Sequence, residues 1–208
     1  RLLSRGLGDV YKRQVRPSAY GYKMMKTDQL LKSYLPRTPE ERIYKSIMLS
    51  FLNMHENAHS RDCHLGHFTA SAWITNKQMD QVVLMHHKKL DKWLQLGGHC
   101  DGNPDCLEVA LKEAHEESGL NHLKVLSEYI FDIDMHLIPP RGNERSHYHY
   151  DIRFLMMANT DDLLIGNHES CALRWIRLNE VHQKNSERSI MRMVEKTQAY
   201  KTSRLPAN

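Results

Sequence analysis

Apolar residues recur at helical and strand periods along most of the chain, and this periodicity predicts where its elements lie. Residues 27–34 and 39–58 have helix-like patterns. The second stretch begins well, because Thr38 can cap it and Pro39 suits the first turn of a helix. We therefore expect a helical pair near the start of the chain, and a further helix at about residues 186–200.

Between these helices the pattern alternates with the period of two that is typical of β-strands. Strands are predicted at residues 68–74, 81–86, 124–135, 147–156 and 174–177, with a turn at residues 76–80. A well-formed helix interrupts them at residues 107–118. Asp105 can cap this helix, Glu108 completes a capping-box-like pair, and Gly119 lies where a left-handed residue would end it. Strands interrupted by one helix and followed by another indicate α/β layers around a mixed sheet.

The bulk composition is that of a globular protein. Hydrophobic residues make up 40% of the chain and charged residues 26%, and no apolar run approaches the roughly 18 residues that a membrane span needs. The four cysteines, Cys63, Cys100, Cys106 and Cys171, show no spacing that suggests disulfide pairing. Unpaired thiols are typical of a reducing compartment, so we expect a cytoplasmic protein that has no membrane partner.

The first residues change how the net charge is interpreted. Residues 4–14 have neither an apolar period nor capping residues, and they resemble the translation of a transposon-end adaptor from a sequencing library. We treat residues 1–14 as an artefact of that kind. They carry +3 of the formal net charge of +4. The remaining chain is therefore nearly neutral and offers no argument for binding polymeric nucleic acid.

Three glutamates lie on one face of the best-defined predicted helix. Glu113, Glu116 and Glu117 stand at positions i, i+3 and i+4, so their carboxylates are neighbours and repel one another. A hard divalent cation such as Mg²⁺ or Mn²⁺ relieves this repulsion, because it prefers carboxylate oxygens. Gly97 and Gly98 precede the helix and let the backbone approach such an ion, with a carbonyl as a further ligand.

This region resembles the signature of the Nudix family, G-x5-E-x7-R-E-U-x-E-E-x-G-U, where U is a bulky apolar residue. The matching positions are Gly98, Glu113, Glu116, Glu117, Gly119 and Leu120. Three positions depart from the signature: Pro104 replaces its first glutamate, Lys112 replaces its arginine, and Ala114 is a small apolar residue. Lysine keeps the charge of arginine but loses its planar fork. The carboxylates near enough in sequence to replace the missing glutamate are Asp101, Asp105 and Glu108.

The resemblance extends over about residues 66–182. The stretches WLQLGGH and HYHYD resemble a bacterial subgroup of the family, and Glu169 fits a downstream glutamate that the family places near its metals. The resemblance therefore implies an α/β/α sandwich with a mixed β-sheet. Its domains would be an N-terminal helical extension at residues 25–62 and a Nudix domain at residues 63–200 that ends in a C-terminal helix.

The activity that the resemblance implies is hydrolysis of a phosphoanhydride bond in a nucleoside diphosphate linked to another moiety. The cofactor would be Mg²⁺ or Mn²⁺, held by Glu116, Glu117 and a carbonyl of the Gly97–Gly98 pair, with Gly98 as the family's position. Glu113 is either a metal ligand or the general base, and Glu169 competes for the role of base. Lys112 stands where the family's arginine orients the neighbouring catalytic glutamate.

Polar residues on two predicted strands indicate a pocket beside the sheet. Asp132, Asp134 and His136 alternate along one strand, and a second strand carries another such set. If the strands pair, these side chains recognise substrate, hold a transition metal, or form a hydrogen-bonded polar surface. We assign substrate binding to Trp93, His99, His136, His147, His149 and Asp151.

Two neighbouring patterns keep simpler interpretations. Trp93 either stacks on a nucleotide base or packs under the glycines that follow it. Cys63-His64-x-x-His67 has metal-ligand residue types but no complete set of four, so we expect it to form a turn.

Two other functions stay open. An enzyme like isopentenyl-diphosphate isomerase shares the implied fold and needs a cysteine opposite a glutamate, for which Cys100 is the nearest residue. A non-catalytic nucleotide-binding module would explain Pro104 and Lys112. The helical extension also offers a surface for a homodimer.

Overall fold

The computed structural model of the chain describes residues 24–142 and 144–204, so the predicted artefact at residues 1–14 lies outside the described residues. The helices are α1 (Thr27–Ser33), α2 (Pro39–Met54), α3 (Cys106–Ser118), α4 (Val181–Lys184) and α5 (Arg188–Arg204). The strands are β1 (Gly66–Thr75), β2 (Gln81–His87), β3 (Lys92–Leu94), β4 (Leu96–His99), β5 (Lys124–Val125), β6 (Asp132–Ile138), β7 (His147–Met157) and β8 (Ser170–Arg177). None of the described helices is long and apolar enough to cross a membrane.

The strands form one mixed sheet around β1 and β7. These two run parallel, from Gly66 opposite Tyr148 to Thr75 opposite Met157. β2 and β4 pair antiparallel with β1, while β5 and β6 pair antiparallel with β7. β2 also pairs with β3 and β8. The predicted mixed sheet is therefore confirmed.

Each face of the sheet has its own apolar core, because side chains alternate along a strand. On one face the even-numbered residues of β1, from Phe68 to Ile74, pack with α3, α1 and α2. On the other face Trp73 packs with α5, and its indole donates a hydrogen bond to the Thr197 hydroxyl (2.8 Å). The predicted arrangement of helices on both sides of a mixed sheet is confirmed.

The predicted helical pair is present, with an earlier end. Thr38 caps α2 by accepting a hydrogen bond from the Glu41 amide (3.2 Å). α2 ends at Met54, whereas the pattern predicted a helix to residue 58. The last residues turn towards β1 instead, because the Ala58 carbonyl accepts from the Phe68 amide (2.8 Å).

Two strand predictions are wrong in detail. The strand predicted at residues 124–135 is divided into β5 and β6. Between them, the Leu126 and Phe131 amides donate hydrogen bonds to carbonyls of β7 (3.0 and 2.8 Å). β3 and β4 were missed, because they are short and the glycines of β4 interrupt any alternation of apolar residues. β4 is the strand that brings Gly97 and Gly98 alongside α3.

Candidate functional site

α3 is fixed at both ends by residues that the sequence singles out. The Asp105 carboxylate accepts a hydrogen bond from the Glu108 amide (3.1 Å), and Gly119 is left-handed, with φ 69°. The reciprocal bond of a capping box is absent. The Glu108 carboxylate accepts from the Asn103 side-chain amide instead (3.0 Å), so this part of the prediction is wrong.

The three glutamates of α3 differ in their surroundings. Glu117 is buried, and its carboxylate accepts a hydrogen bond from the Gly97 amide (2.9 Å). Glu113 lies directly against Gly98, where an added Cβ atom would be 2.7 Å from the Glu113 carboxyl carbon. Glu116 is exposed. Two carboxylates are thus held against the backbone of β4, and glycine is required for the closest approach.

Burial and mutual repulsion raise the pKa values of Glu113 and Glu117, which we call the inner glutamates. The pKa of Glu117 rises to about 7, mainly because burial penalises its charge, and the charges of Glu113, Glu169 and Glu116 raise it further. Burial is also the main cause that raises the pKa of Glu113, while the Lys112 ammonium opposes it. Glu169 acts on both groups, so the loop before β8 brings this glutamate into the electrostatic range of the cluster.

Two further predicted site residues, Lys112 and Glu169, act on the glutamates of α3. The Lys112 ammonium lies 3.6 Å from a Glu113 oxygen and 3.5 Å from a Glu116 oxygen, and its side chain is 58% exposed. The Glu169 backbone is fixed to the end of β2, because its carbonyl accepts a hydrogen bond from the Lys88 amide (2.8 Å). Lys112 therefore lies against Glu113 and Glu116, while the backbone of Glu169 is fixed next to β2.

The carboxylate cluster, Glu113, Glu116, Glu117 and Glu169, fits a hard divalent cation. Carboxylate oxygens are the ligands that Mg²⁺ and Mn²⁺ prefer. A cation also removes the repulsion that raises the pKa of Glu117. The glycine cradle at Gly98 keeps the side of the cluster that faces β4 free of any side chain.

Four imidazoles meet where β1, β4 and β7 lie side by side. The rings of His99 and His149 are 4.9 Å apart, and that of His67 lies 5.1 Å from His99 and 4.8 Å from His149. The Nε2 atoms of His147 and His149 are 3.2 Å apart. Burial is the main cause that lowers the pKa of His99 to about 4 and of His149 to about 2. We call these four residues the imidazole cluster.

His67 is the member of the imidazole cluster that sequence reasoning missed. The predicted turn is present at residues 64–65, where the Gly66 amide donates to the Cys63 carbonyl (3.1 Å), but His67 itself lies in β1. Its signal in the chain was the alternation of His67, Thr69 and Ser71, polar residues that share one face of the strand.

The predicted aspartates enter a buried ion-pair network. The guanidinium of Arg153 lies 3.1 Å from Asp132, 3.1 Å from Asp134 and 2.7 Å from Asp151. The Asp151 carboxylate also accepts from two hydroxyl groups of β1, at 3.1 and 2.8 Å. His136 is 3.0 Å from Asp134 and stays partly exposed. The pairing of β6 with β7 therefore brings the predicted polar residues together, but the carboxylates of Asp132, Asp134 and Asp151 are engaged by protein groups.

α5 supplies two cations to the same network, and sequence reasoning missed both. Arg192 lies 2.9 Å from Asp132 and 3.0 Å from Asp134, and Lys196 lies 2.7 Å from Asp132 and 2.8 Å from Glu41. The two cations are four residues apart and so share a helix face, which was the available signal. Such a pair is ordinarily solvated, and only the packing of α5 against the sheet buries it.

Trp93 and Cys100 have surroundings that bear on the open alternatives. The Trp93 indole stacks on the His86 ring, with centroids 5.2 Å apart, and Lys184 lies over it at 5.5 Å. The Cys100 thiol is buried, and its hydrogen-bond partner is the Cys106 thiol at 3.9 Å. The Trp93 ring is therefore half-buried and packs against protein groups, and Cys100 lies in the core.

Comparisons with known proteins agree with this geometry. A model of the NUDIX domain family matches residues 66–196. A NUDIX-family hydrolase from Clostridium perfringens is 25% identical, with a TM-score of 0.50, and the match covers 64% of this chain and 97% of that one.

Two further solved structures share the fold at lower identity. A C. elegans Ap4A hydrolase in a binary complex has a TM-score of 0.53 at 16% identity, covering 65% of this chain and 98% of that one. An E. coli dihydroneopterin triphosphate pyrophosphohydrolase has a TM-score of 0.50 at 12% identity, covering 62% and 92%. A search of curated proteins finds no significant match.

Proposed function

Because the chain belongs to the Nudix family, we propose that it is a pyrophosphohydrolase that hydrolyses a phosphoanhydride bond in a nucleoside diphosphate linked to another moiety. The observation that carries this proposal is the carboxylate cluster of α3, held against the Gly97–Gly98 backbone with Glu169 nearby. Mg²⁺ or Mn²⁺ is the proposed cofactor.

Each acidic residue has a proposed role. Glu116 and Glu117 hold the cation together with a Gly97 or Gly98 carbonyl. When bound, the cation supplies Lewis-acid polarisation of a phosphate oxygen. Glu113 or Glu169 accepts the proton of the attacking water, since both carboxylates are near enough to Glu117 to raise its pKa.

Lys112 is proposed to position Glu113. Its ammonium contacts Glu113 and Glu116 at 3.6 and 3.5 Å, so it can draw the Glu113 carboxylate towards the outer side of α3. A point charge does this with less angular control than the planar fork of an arginine. Lysine at this position is therefore expected to slow turnover rather than abolish it.

The proposed substrate-binding residues are Trp93, His99, His136, His147, His149 and Asp151. Trp93 is half-buried, and a base would stack on it by displacing the Lys184 ammonium, which lies 5.5 Å from the ring centroid. The side chain of His136 is 41% exposed and pairs with Asp134, so it is accessible to a substrate. Asp151 acts through Arg153 and the β1 hydroxyls rather than by direct contact, since these groups engage its carboxylate.

The substrate is proposed to be a small molecule, because the near-neutral charge of residues 15–208 gives no basis for holding a nucleic acid polymer. We also propose a cytoplasmic location, in keeping with the free thiols of Cys63, Cys100, Cys106 and Cys171. We further propose that the helical extension ends at residue 62, that the Nudix domain begins at residue 63, and that the extension forms the surface of a homodimer.

The two alternatives differ in what they need from this site. Isomerase chemistry needs a thiol open to substrate opposite a glutamate, and the buried Cys100 does not offer one. A binding module without activity would need only the cation and nucleotide contacts, which the departures Pro104 and Lys112 allow. Turnover measurements separate the module from the hydrolase.

The test is a screen of the full chain with Mg²⁺ or Mn²⁺ against nucleoside diphosphate conjugates, reading phosphate after phosphatase coupling. We expect one substrate class to be cleaved, with activity lost in chelator and at least about 100-fold reduced in Glu116→Gln. Glu195→Gln is the matched control, because Glu195 has nearly the same side-chain exposure as Glu116, 58% against 57%, and lies on α5. Tight nucleotide binding without turnover across the panel would favour the binding module.

A second measurement assigns the general base. Glu113→Gln and Glu169→Gln are compared by the pH dependence of kcat. Loss of the acidic limb in one variant, with the limb retained in the other, identifies the base. Retention of the acidic limb in both variants would remove Glu113 and Glu169 from this role.

A further inference from the structure

The imidazole cluster and the carboxylate cluster lie on opposite faces of the sheet. In β4, the side-chain position of Gly98 points at Glu113 of α3. Successive residues of a strand point to opposite faces, so His99 points away from the carboxylate cluster. There it meets His67 of β1 and His149 of β7, which stand opposite each other in the parallel register.

His67 is buried and poorly satisfied. Its relative exposure is 3%, and neither ring nitrogen has a hydrogen bond of good geometry to a described residue. The Cys63 backbone lies near enough to act on the pKa of His67, but it does not form a hydrogen bond of good geometry with the ring. Buried polar atoms almost always have partners, so two unpartnered nitrogens in one ring require a physical reason.

The neighbouring imidazoles supply that reason. One ring nitrogen from each of His67, His99 and His149 lies within 4.8 Å of the other two. Adjacent nitrogen ligands of a tetrahedral zinc ion are about 3.3 Å apart, given zinc–nitrogen bonds of about 2.05 Å. Small rotations of the three rings therefore bring their nitrogens to bonding distance from a common centre.

His147 lies outside this group of three but next to it, with its ring centroid 5.0 Å from that of His67 and 5.1 Å from that of His149. Its Nδ1–H group donates a hydrogen bond to the Arg145 carbonyl (2.9 Å). The lone pair is then on Nε2, which lies 3.2 Å from His149 Nε2. Metal-bound histidines commonly donate their other N–H to a backbone carbonyl in this way, which fixes the tautomer and the ring orientation.

We propose that His67, His99 and His149, with His147 as the fourth ligand, bind one Zn²⁺-class ion. The set contains nitrogen donors alone, which suit Zn²⁺, Co²⁺ and Ni²⁺ and do not suit Mg²⁺. The ion would connect the neighbouring ends of β1, β4 and β7, and so hold His99 beside the Gly98 cradle. This site shares no residue with the carboxylate cluster, whereas His99, His147 and His149 are also among the proposed substrate-binding residues.

The experiment uses the full chain, purified without a histidine tag and stripped with chelator. Zn²⁺ is titrated against a chromophoric competitor, and Co²⁺ is followed by its visible absorption. We expect one equivalent of Zn²⁺ bound with a Kd below about 1 µM. Bound Co²⁺ should show tetrahedral bands without the charge-transfer absorption of a thiolate ligand.

Two variants locate the ion. The double variant His99→Gln/His149→Gln should lose at least about 100-fold in Zn²⁺ affinity. His136→Ala is the matched control: this residue stands opposite His149 in the β6–β7 register but pairs with Asp134, and its loss should leave the affinity nearly unchanged.

Three outcomes would overturn the proposal: weak binding with a Kd above about 10 µM, unchanged affinity in the double variant, or a thiolate spectrum with Co²⁺. The Co²⁺ spectrum of the parent protein decides the question even if the double variant fails to fold. Glu117→Gln separates this site from the proposed function, because it should lose hydrolysis and keep Zn²⁺ binding.

Discussion

Replacing Glu117 by glutamine removes a buried negative charge and keeps the acceptor for the Gly97 amide. In the metal-free protein the pKa of Glu117 is raised from 4.5 to about 7. A carboxyl group with a raised folded-state pKa contributes its full stability below pH 4.5 and loses it as the pH rises through 7. That loss amounts to about 3 kcal/mol at most. We therefore expect metal-free Glu117→Gln to be about 2–3 kcal/mol more stable than the parent protein at pH 8, and only about 1 kcal/mol more stable at pH 5.

The assay is urea unfolding of both proteins at the two pH values, in EDTA and in Mg²⁺. Mg²⁺ should reduce or reverse the difference at pH 8, because it stabilises only a native state that binds it. Glu116→Gln is the control on the same helix: its charge is exposed, so metal-free stability should change by less than about 0.5 kcal/mol. Equal stability of parent and Glu117→Gln in EDTA at both pH values would refute the argument that burial of the ionised Glu117 carboxylate destabilises the fold.

Three further predictions test the site and its support. Gly98→Ala places a methyl group 2.7 Å from the Glu113 carboxyl carbon, so kcat should fall by up to about 100-fold with circular dichroism unchanged. An unaltered kcat would show that the close approach of Glu113 to Gly98 is not needed for catalysis. Lys112→Arg restores a planar fork beside Glu113 and should raise kcat about 2- to 10-fold in the steady-state assay, and a decrease would remove the positioning role. Arg153→Met leaves three buried aspartates without a main counter-ion and should cost about 3–5 kcal/mol in urea unfolding. The exposed Arg174→Met is its control, and a loss below about 1 kcal/mol would show that α5 alone neutralises the network.

Local patterns predicted most elements well, because a helix or strand buries residues at its own period. Thr38 and Asp105 cap the helices that their positions indicated, and Gly119 ends α3 in a left-handed conformation. The errors lie where other parts of the chain compete for hydrogen bonds. The Asn103 side-chain amide donates to the Glu108 carboxylate, which therefore does not complete the predicted capping box. The Phe68 amide donates to the Ala58 carbonyl, so the predicted helix does not continue to residue 58.

The sequence by itself determined the grouping of Glu113, Glu116 and Glu117, because residues three and four apart on a helix are neighbours whatever surrounds it. It also determined that glycine precedes this helix, and so that a backbone can approach the carboxylates. Only the tertiary structure decided how deeply each glutamate is buried, and burial is the main cause that raises the pKa of Glu117.

The same division holds for the histidines and aspartates. Alternation along β6 and β7 predicted shared faces, but the parallel register of β1 with β7 is a long-range property that no local pattern encodes. That register places His67 beside His149, and the packing of α5 brings Arg192 to the aspartates. The tertiary structure therefore decided that one end of this polar face became a buried ion-pair network and the other end a group of imidazoles, because strand pairing and helix docking bring together residues that are far apart in the chain.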